Sequence, residues 1–281
     1  MGKTLLSIGH GYSARALAVR LKAKGWTIIA TTRSHEKARA FTREGLTGLI
    51  WPGQPLPIFE ATHILTSVAP DDEGDPVLAE AAEALKAARH LEWVGYLSTT
   101  GVYGDHQGGW VDETTAPSPT TRRGKARVLA ETAWSTLGLP LHIFRLAGIY
   151  GPGRGPFEKI RSGKAQRVIK ENQVFSRIHV EDIATVLEAS IARPNPGAIY
   201  NLCDDDPAPP EDVLEHAARL LNLPVPPAVP FDVAEMSPMA RSFYADSKRV
   251  RNDRIKDELG VTLKYPDYAT GLASLLESEQ S

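Results

Sequence analysis

The stretch SIGHGYSARAL, Ser7 to Leu17, decides the fold because it joins a strand-like run to a helical pattern through two glycines. In a dinucleotide-binding turn, the first glycine, here Gly9, permits the tight bend, and the second, Gly11, lets the backbone approach a pyrophosphate. Ala14 stands where a third glycine often occurs, and its small side chain lets helix and strand pack closely. A tight turn without a ligand is the alternative, but the N–H groups at a helix start attract anions, and the first strand-to-helix turn favours a dinucleotide.

Short apolar runs alternate with helical patterns through the first half of the chain. The strand-like runs WTIIATT, THILTSVAP, WVGYLST and LHIFRLAG are separated by helix-like segments such as SHEKARAFTREG and VLAEAAEALKAAR. A repeated β-α order predicts a parallel sheet with helices on both faces. We therefore expect an α/β protein with a doubly wound parallel sheet of the Rossmann type and a smaller, loop-rich C-terminal lobe.

The pattern changes after Tyr150, where GPGRGP opens a stretch with fewer regular elements, and the chain becomes proline-rich after Asp204. We expect a dinucleotide-binding domain over residues 1–150, continued by roughly 179–203, and a substrate-binding lobe over 151–178 and 204–281. Two helices are predicted in the later part of this lobe, at Glu211 to Leu221 and at Ser247 to Glu258.

The composition limits the classes of function. The 281 residues, 42% of them hydrophobic, are enough for one large domain or two smaller ones. A formal net charge of -2 gives no reason to expect binding to nucleic acid or to an anionic membrane surface. The single cysteine, Cys203, and the lack of CxxC or HExxH spacing predict neither a disulfide nor a metal site. Without a run of 18 apolar residues, the chain is expected to be a cytoplasmic protein with no membrane span.

The end of the second predicted strand indicates the cofactor. An acidic residue there would bind the ribose hydroxyls of NAD, whereas a basic residue accommodates the 2′-phosphate of NADP. This chain has TTRSHEK, with Arg33 first after the strand and Lys37 nearby. Basic side chains oppose the dipole at a helix start, which argues against a purely structural role for Arg33 and Lys37. Their positive charge therefore favours NADP over NAD. The expected cofactor-binding residues up to this point are Gly9, His10, Gly11, Tyr12, Ser13, Arg33, Ser34, Lys37, Val68, Ala69 and Pro70.

Four further strings, YLSTTGVYGD, RLAGIYGPGR, RIHVEDIA and IYNLCDD, follow in that order. Together with the glycine turn, they resemble the extended and atypical short-chain dehydrogenase/reductases, the group of NAD-dependent epimerases and dehydratases, over essentially the whole chain. That family uses a tyrosine to exchange a proton while hydride passes to or from the nicotinamide. A lysine holds the ribose and lowers the tyrosine pKa, and a serine or threonine orients the substrate oxygen. Thr99 matches this last position, and Thr100 would match it if the strand end were shifted by one.

The segment TTRRGKARVLAE is where the resemblance places the tyrosine and the lysine. Aligned by Gly124 and Glu131, it has Arg123 at the tyrosine position and Arg127 at the lysine position. A rival alignment keeps Lys125 as the lysine, with Thr121 at the tyrosine position, and loses both of these matches. Neither alignment supplies a tyrosine, and an arginine cannot donate a proton at neutral pH.

Arg127 can still donate to the ribose hydroxyls, so the resemblance implies that Thr99 and Arg127 both bind the cofactor and serve the reaction. Tyr103, after the strand that carries Thr99, is the best substitute proton donor, and Thr99, Tyr103 and Arg127 are the expected catalytic residues. In RIHVEDIA, we expect His179 to position the start of its helix and Asp182 to complement the helix dipole.

The functional expectation is an NADP-dependent oxidoreductase or epimerase-like enzyme with a non-standard proton donor and an unknown small-molecule substrate. The alternative is a catalytically silent NADP-binding protein that senses redox state or binds a partner. A nucleotide-sugar epimerase of ordinary mechanism is disfavoured by Arg123 and by Gly148, which replaces an asparagine that contacts substrate in the family. Three further arginines could bind an anionic substrate, with ordinary surface charge as the equal alternative: Arg154, Arg161 and Arg177. By analogy with the family, a homodimer is also expected.

Overall fold

Seven parallel strands form the central sheet of the computed structural model, which describes residues 2–280. In chain order they are β1 (Thr4–Ile8), β2 (Thr27–Thr32), β3 (Thr47–Ile50), β4 (His63–Thr66), β5 (Trp93–Thr99), β7 (Leu141–Leu146) and β11 (Ile199–Leu202). Their order across the sheet is β11-β7-β5-β4-β1-β2-β3, and every neighbouring pair is parallel. The predicted doubly wound parallel sheet is confirmed.

Helices cover both faces of this sheet because successive strand residues point to opposite sides. Leu5 packs in one apolar cluster with Leu17 of the first helix, whereas the next residue, Leu6, packs in the other cluster with Trp134. The five helices that follow strands of the sheet or precede them are α1 (Tyr12–Ala23), α2 (His35–Arg43), α3 (Pro76–Ala87), α4 (Arg122–Ser135) and α6 (Val180–Ala192).

The strand order reverses beside β1, since the chain runs from β1 outward to β3 and then returns to β4 on the other side. In open α/β sheets, ligands bind at the carboxyl ends of the strands near such a switch point. The glycine turn after β1 and residues 67–70 after β4 both lie at this place.

The smaller lobe has an apolar core of its own, which includes Phe157, Ile160, Ala217 and Leu272. The remaining strands have two or three residues each: β6 (Trp110–Val111), β8 (Gly148–Tyr150), β9 (Arg167–Ile169), β10 (Arg177–His179), β12 (Ala228–Pro230) and β13 (Arg249–Val250). The remaining helices are α5 (Phe157–Arg161), α7 (Pro210–Leu220), α8 (Pro238–Phe243), α9 (Asp253–Asp257) and α10 (Tyr268–Gln280).

One predicted helix is wrong in part. The helix expected from Ser247 begins only at Asp253, because the preceding residues form β13 beside β6. The N–H groups of Arg249 and Arg251 donate to Gly109 O and Val111 O, each at 2.9 Å, and these bonds hold the segment extended. Among residues 2–280, no helix is both long and apolar enough to cross a membrane.

Candidate active site

The turn after β1 requires a glycine at its first position. Gly9 has a φ of 74°, in the left-handed region, and a Cβ there would lie 2.9 Å from Val68 Cγ2. Its N–H donates to Thr31 Oγ1 at 2.8 Å, so the end of β2 holds the turn in place. Gly9 therefore brings the ends of β1, β2 and β4 together.

Gly11 differs from Gly9 because the protein's own packing does not demand a glycine there. Its φ is -103°, and the nearest atom to an added Cβ would be Gly9 O at 3.7 Å. Gly11 is also the N-cap of α1, where no side chain accepts from the first-turn N–H groups and no acidic residue stands in the first turn. This leaves a helix N-terminus with backbone donors and a positive dipole end, which fits a pyrophosphate.

His10 and Tyr12 are committed to contacts within the protein. The buried His10 imidazole bonds through Nδ1 to Ser7 Oγ at 2.9 Å, and burial, with help from Arg15, lowers its pKa to about 4. The Tyr12 hydroxyl donates to Pro152 O at 2.9 Å. Only the backbone of these two residues is thus suited to the phosphate role expected of them.

The end of β2 presents basic side chains to solvent. Ser34 caps α2 by accepting from Lys37 N at 3.3 Å, while the side chains of Arg33 and Lys37 are exposed. Within residues 2–280, no carboxylate lies in ion-pair distance of either one. The NADP-binding role expected of these residues stays a prediction, and their free charges are compatible with it.

A cavity of about 860 Å³ lies where the carboxyl ends of β4, β5 and β7 meet the smaller lobe. Its lining includes Ala69, Pro70, Thr99 and Arg127, so the structure brings these expected site residues together. Neither the glycine turn nor Val68 is part of the lining. Val68 lies beside Gly9 and directly precedes Ala69, so it stands between the turn and the cavity.

Thr99 ends β5 at the edge of this cavity. Its Oγ1 accepts from Gly101 N at 3.1 Å and so caps the short 3₁₀ turn Thr100–Tyr103. A hydroxyl has a second lone pair and a proton left after this bond. Thr99 can therefore still contact an oxygen atom in the cavity.

The start of α4 supports the alignment based on Gly124 and Glu131. Gly124 is buried, and a Cβ there would lie 2.7 Å from Gly101 O. Glu131 is also buried and accepts from Arg145 Nη2 at 2.7 Å. In this arrangement Arg123 and Arg127 line the cavity, whereas Lys125 is exposed and outside its lining.

The Arg127 guanidinium is partly fixed by the sheet. Its Nη1 donates to Leu97 O at 2.7 Å and to the Tyr96 hydroxyl at 3.0 Å. These bonds hold the side chain at the cavity wall, and within residues 2–280 none of its N–H donors is bonded to a carboxylate. The role in cofactor binding that the resemblance implied for Arg127 is compatible with this placement.

Tyr103 does not reach the cavity, and this corrects the expectation that it replaces the family tyrosine. It is fully buried, its hydroxyl donates to Asn201 Oδ1 at 2.7 Å, and it accepts from Arg145 Nη1 at 3.0 Å. Burial raises its pKa. The residue follows β5 as expected, but the 3₁₀ turn directs its side chain into the protein.

Two groups near the cavity were not singled out from the sequence. Lys248 lines the cavity, and its Nζ donates to Gly104 O at 2.7 Å and lies 3.5 Å from Asp246 Oδ2. Burial lowers the pKa of this lysine, although the Asp246 carboxylate acts in the opposite direction. Asp204, at the end of β11, is buried with both carboxyl oxygens unpartnered among the described residues, and burial raises its pKa to about 8. Asp204 belongs to the IYNLCDD string, but that string gave it no role of its own, and Lys248 stands in none of the four strings that carry the resemblance.

The two residues of RIHVEDIA have structural roles. His179 Nδ1 accepts from Glu181 N at 3.2 Å and caps α6, as expected. Asp182 is buried and accepts from Lys264 N at 2.8 Å and from Tyr265 N at 3.0 Å, so it fixes the segment before α10 besides standing in the first turn of α6. Across residues 2–280, no group of His, Cys, Asp and Glu side chains could hold a metal ion.

Comparisons with curated proteins give two full-length likenesses. The chain is 28% identical to protein YeeZ of Escherichia coli over 94% of this chain and 97% of YeeZ. It is 25% identical to a 3-diazoavenalumate denitrifying reductase from Streptomyces, over 96% of this chain and 99% of the reductase. No protein-family model matches the chain.

Solved structures extend these likenesses. A conserved protein of unknown function from Silicibacter pomeroyi is 59% identical, with a TM-score of 0.96 over 98% of this chain and 99% of the other. A Methylobacillus flagellatus protein assigned to the NAD-dependent epimerases/dehydratases is 26% identical, with a TM-score of 0.76 over 100% and 99%. The human epimerase family protein SDR39U1, solved with NADPH, has the same fold at 16% identity, with a TM-score of 0.75 over 98% and 99%.

The chain thus has the fold of the short-chain dehydrogenases/reductases, a class of NAD(P)-binding proteins. In its ordered motifs and in its full-length likeness to the Methylobacillus flagellatus structure, the chain is similar to the NAD-dependent epimerase/dehydratase group of that class.

Proposed function

We propose that the protein is an NADP-dependent oxidoreductase or epimerase-like enzyme that acts on a small molecule with a proton donor other than the family tyrosine. The observation that carries this proposal is that Thr99 and Arg127 line the same cavity, together with Ala69 and Pro70 after β4. A cavity at the carboxyl edge of the sheet, next to the switch point, is where this fold class performs its reaction.

The residues fit a nicotinamide dinucleotide. The uncapped N-terminus of α1 at Gly11 would hold the pyrophosphate, Arg33 with Lys37 would hold a 2′-phosphate, and Arg127 would donate to the ribose beside the nicotinamide. When bound, the nicotinamide supplies or accepts the hydride. Solved structures of this fold hold either cofactor, NADPH in the human protein and NAD in others, so the choice of NADP rests on Arg33 and Lys37.

The chain's own groups would orient the substrate and move its proton. The Thr99 hydroxyl would hold the substrate oxygen at the end of β5. Lys248 is our candidate for the proton donor, because it lines the cavity and burial lowers its pKa. Since its Nζ is bonded to Gly104 O, the lysine has a defined position near the Thr99 turn.

A second candidate function is a silent NADP-binding protein. The observation in its favour is that α4, RRGKARVLAETAWS, contains no tyrosine and that Tyr103 is turned away from the cavity. Such a protein would bind the cofactor and transfer no hydride.

The first test separates the two cofactors by titration calorimetry. We expect NADPH to bind more tightly than NADH, and Arg33→Ala to weaken NADPH by about tenfold or more, the loss typical of one charge-assisted contact. Arg39→Ala is the matched control, since Arg39 is equally exposed and lies on α2, the helix that follows Arg33. Equal binding of both cofactors, or an unchanged NADPH affinity in Arg33→Ala, would contradict the choice of NADP.

The second test follows nicotinamide absorbance with a panel of carbonyl and alcohol substrates. Turnover that is lost in Lys248→Met and retained in Tyr103→Phe would support the proposed enzyme. Tight NADPH binding with no turnover of any substrate would favour the silent protein.

A further inference from the structure

We propose that the cavity selects a small monocarboxylate with an apolar or aromatic body, its carboxylate held by the Arg123 guanidinium on α4 and its body lying against the apolar side chains of α8. This inference rests on the proposed function, because it names the substrate class of the same cavity. Its physical basis is the one-sided charge of the cavity lining and the apolar surface that α8 presents beside Arg123.

The charge of the lining is strongly one-sided. Five basic side chains face one acidic side chain, Asp246; the basic ones are Arg123, Arg127, Lys159, Arg177 and Lys248. Asp246 lies near Lys248, and Arg177 donates to the carbonyls of Phe175 and Ala208, so these charges already have polar partners. Unpaired basic groups in a cleft attract an anion.

Arg123 is the basic group best placed to read that anion. Among residues 2–280, no carboxylate lies within ion-pair distance of its guanidinium, and its recorded contact is with the Phe243 ring, 5.1 Å from the ring centroid. Its neighbour Arg122 is instead paired with Asp72 on the surface, outside the cavity lining. A free guanidinium presents paired N–H donors that match the two oxygens of a carboxylate.

The wall beside Arg123 is apolar and unusually exposed. The helix α8 buries none of its residues, and Met239 and Phe243, which line the cavity, are 62% and 53% exposed. Large apolar side chains that face a cavity gain free energy when an apolar ligand covers them. Phe175 and Tyr244 add aromatic surface to the same lining. The ligand body is therefore apolar or aromatic, and the charge is at the end near Arg123.

The test compares acids with their own amides. Protein saturated with NADPH is titrated by calorimetry with cinnamate, 3-phenylpropanoate and octanoate, and with the neutral primary amide of each. We expect at least one acid to bind about tenfold or more tightly than its amide, the difference typical of a charge-assisted pair. UDP-glucose is titrated in parallel as a diphosphate anion.

Variants assign the effect to its residues. Arg123→Gln should abolish the preference for acid over amide and leave NADPH affinity unchanged, whereas Arg122→Gln, the matched control one residue away, should change neither. Phe243→Ala should weaken acid and amide by a similar factor, because it removes apolar surface from both complexes.

Several outcomes would overturn the inference: equal binding of acid and amide, an acid preference that survives Arg123→Gln, tighter binding of UDP-glucose than of every acid, or no binding of any acid. Failure of the proposed function has different signatures: NADPH binds without turnover of any substrate, which the acid titrations do not measure, or NADPH itself does not bind. In that event the same acids and amides are titrated into the cofactor-free protein, where an acid preference dependent on Arg123 would still support the selectivity and its absence would overturn it.

Discussion

The N-termini of α1 and α4 use the same physical device in opposite ways. At α1 the N-cap is Gly11, no side chain accepts from the first turn, and the backbone donors are left for an anion. At α4 the Thr121 hydroxyl accepts from Gly124 N at 3.1 Å, so the protein satisfies the helix start itself. Positive charge is then supplied by Arg123 and Arg127. The comparison teaches that the start of α1 offers an anion its own backbone donors, whereas the start of α4 offers charge through long side chains.

The largest effect is expected where α4 is anchored to the sheet. Glu131→Ala would leave the Arg145 guanidinium buried without its carboxylate, and loss of one partner of a buried pair costs about 3–5 kcal/mol. Urea unfolding measures this loss. Glu44→Ala, which breaks an exposed pair with Arg15, is the control and should cost about 1 kcal/mol or less. Similar losses in both variants would show that α4 does not depend on this anchor.

The next effect distinguishes the two glycines at α1. Gly11→Ala should leave the melting temperature unchanged, because its methyl group meets no protein atom closer than 3.7 Å, and should weaken NADPH binding by about tenfold or more. Gly9→Ala should lower both, since a left-handed φ costs about 1–2 kcal/mol in a residue with a Cβ. If Gly11→Ala bound NADPH as the parent does, the backbone at α1 would not be the phosphate site.

A smaller effect concerns the pH dependence of stability, at the buried carboxyl group of Asp204 after β11. Burial raises the pKa of Asp204 to about 8 from 3.8, so the folded protein keeps a proton that the unfolded chain releases. Stability should therefore fall as pH rises from about 4 to 8. Asp204→Asn should reduce this slope by a difference of about 1 kcal/mol or more across the interval, measured by urea unfolding. The exposed Asp206→Asn is the control, and an equal slope in parent and Asp204→Asn would contradict the assignment.

The smallest effect on activity is expected at Tyr103. Tyr103→Phe should leave any hydride transfer within about twofold of the parent, because the hydroxyl lies outside the cavity. It should still cost about 1–2 kcal/mol of stability, since Asn201 and Arg145 lose a buried partner. A loss of turnover with unchanged stability would restore Tyr103 as a proton donor.

The sequence by itself determined the parallel sheet, the glycine turn and the alignment of α4. These features depend on local periodicity and on residues such as Gly9 and Gly124, where a side chain would collide with neighbouring atoms. Only the tertiary structure decided where side chains point. Tyr103 follows β5 as predicted, yet a 3₁₀ turn directs its hydroxyl inward, and Lys248 joins the cavity from a segment 149 positions beyond Thr99. A pattern read along the chain cannot show contacts that depend on how distant segments pack.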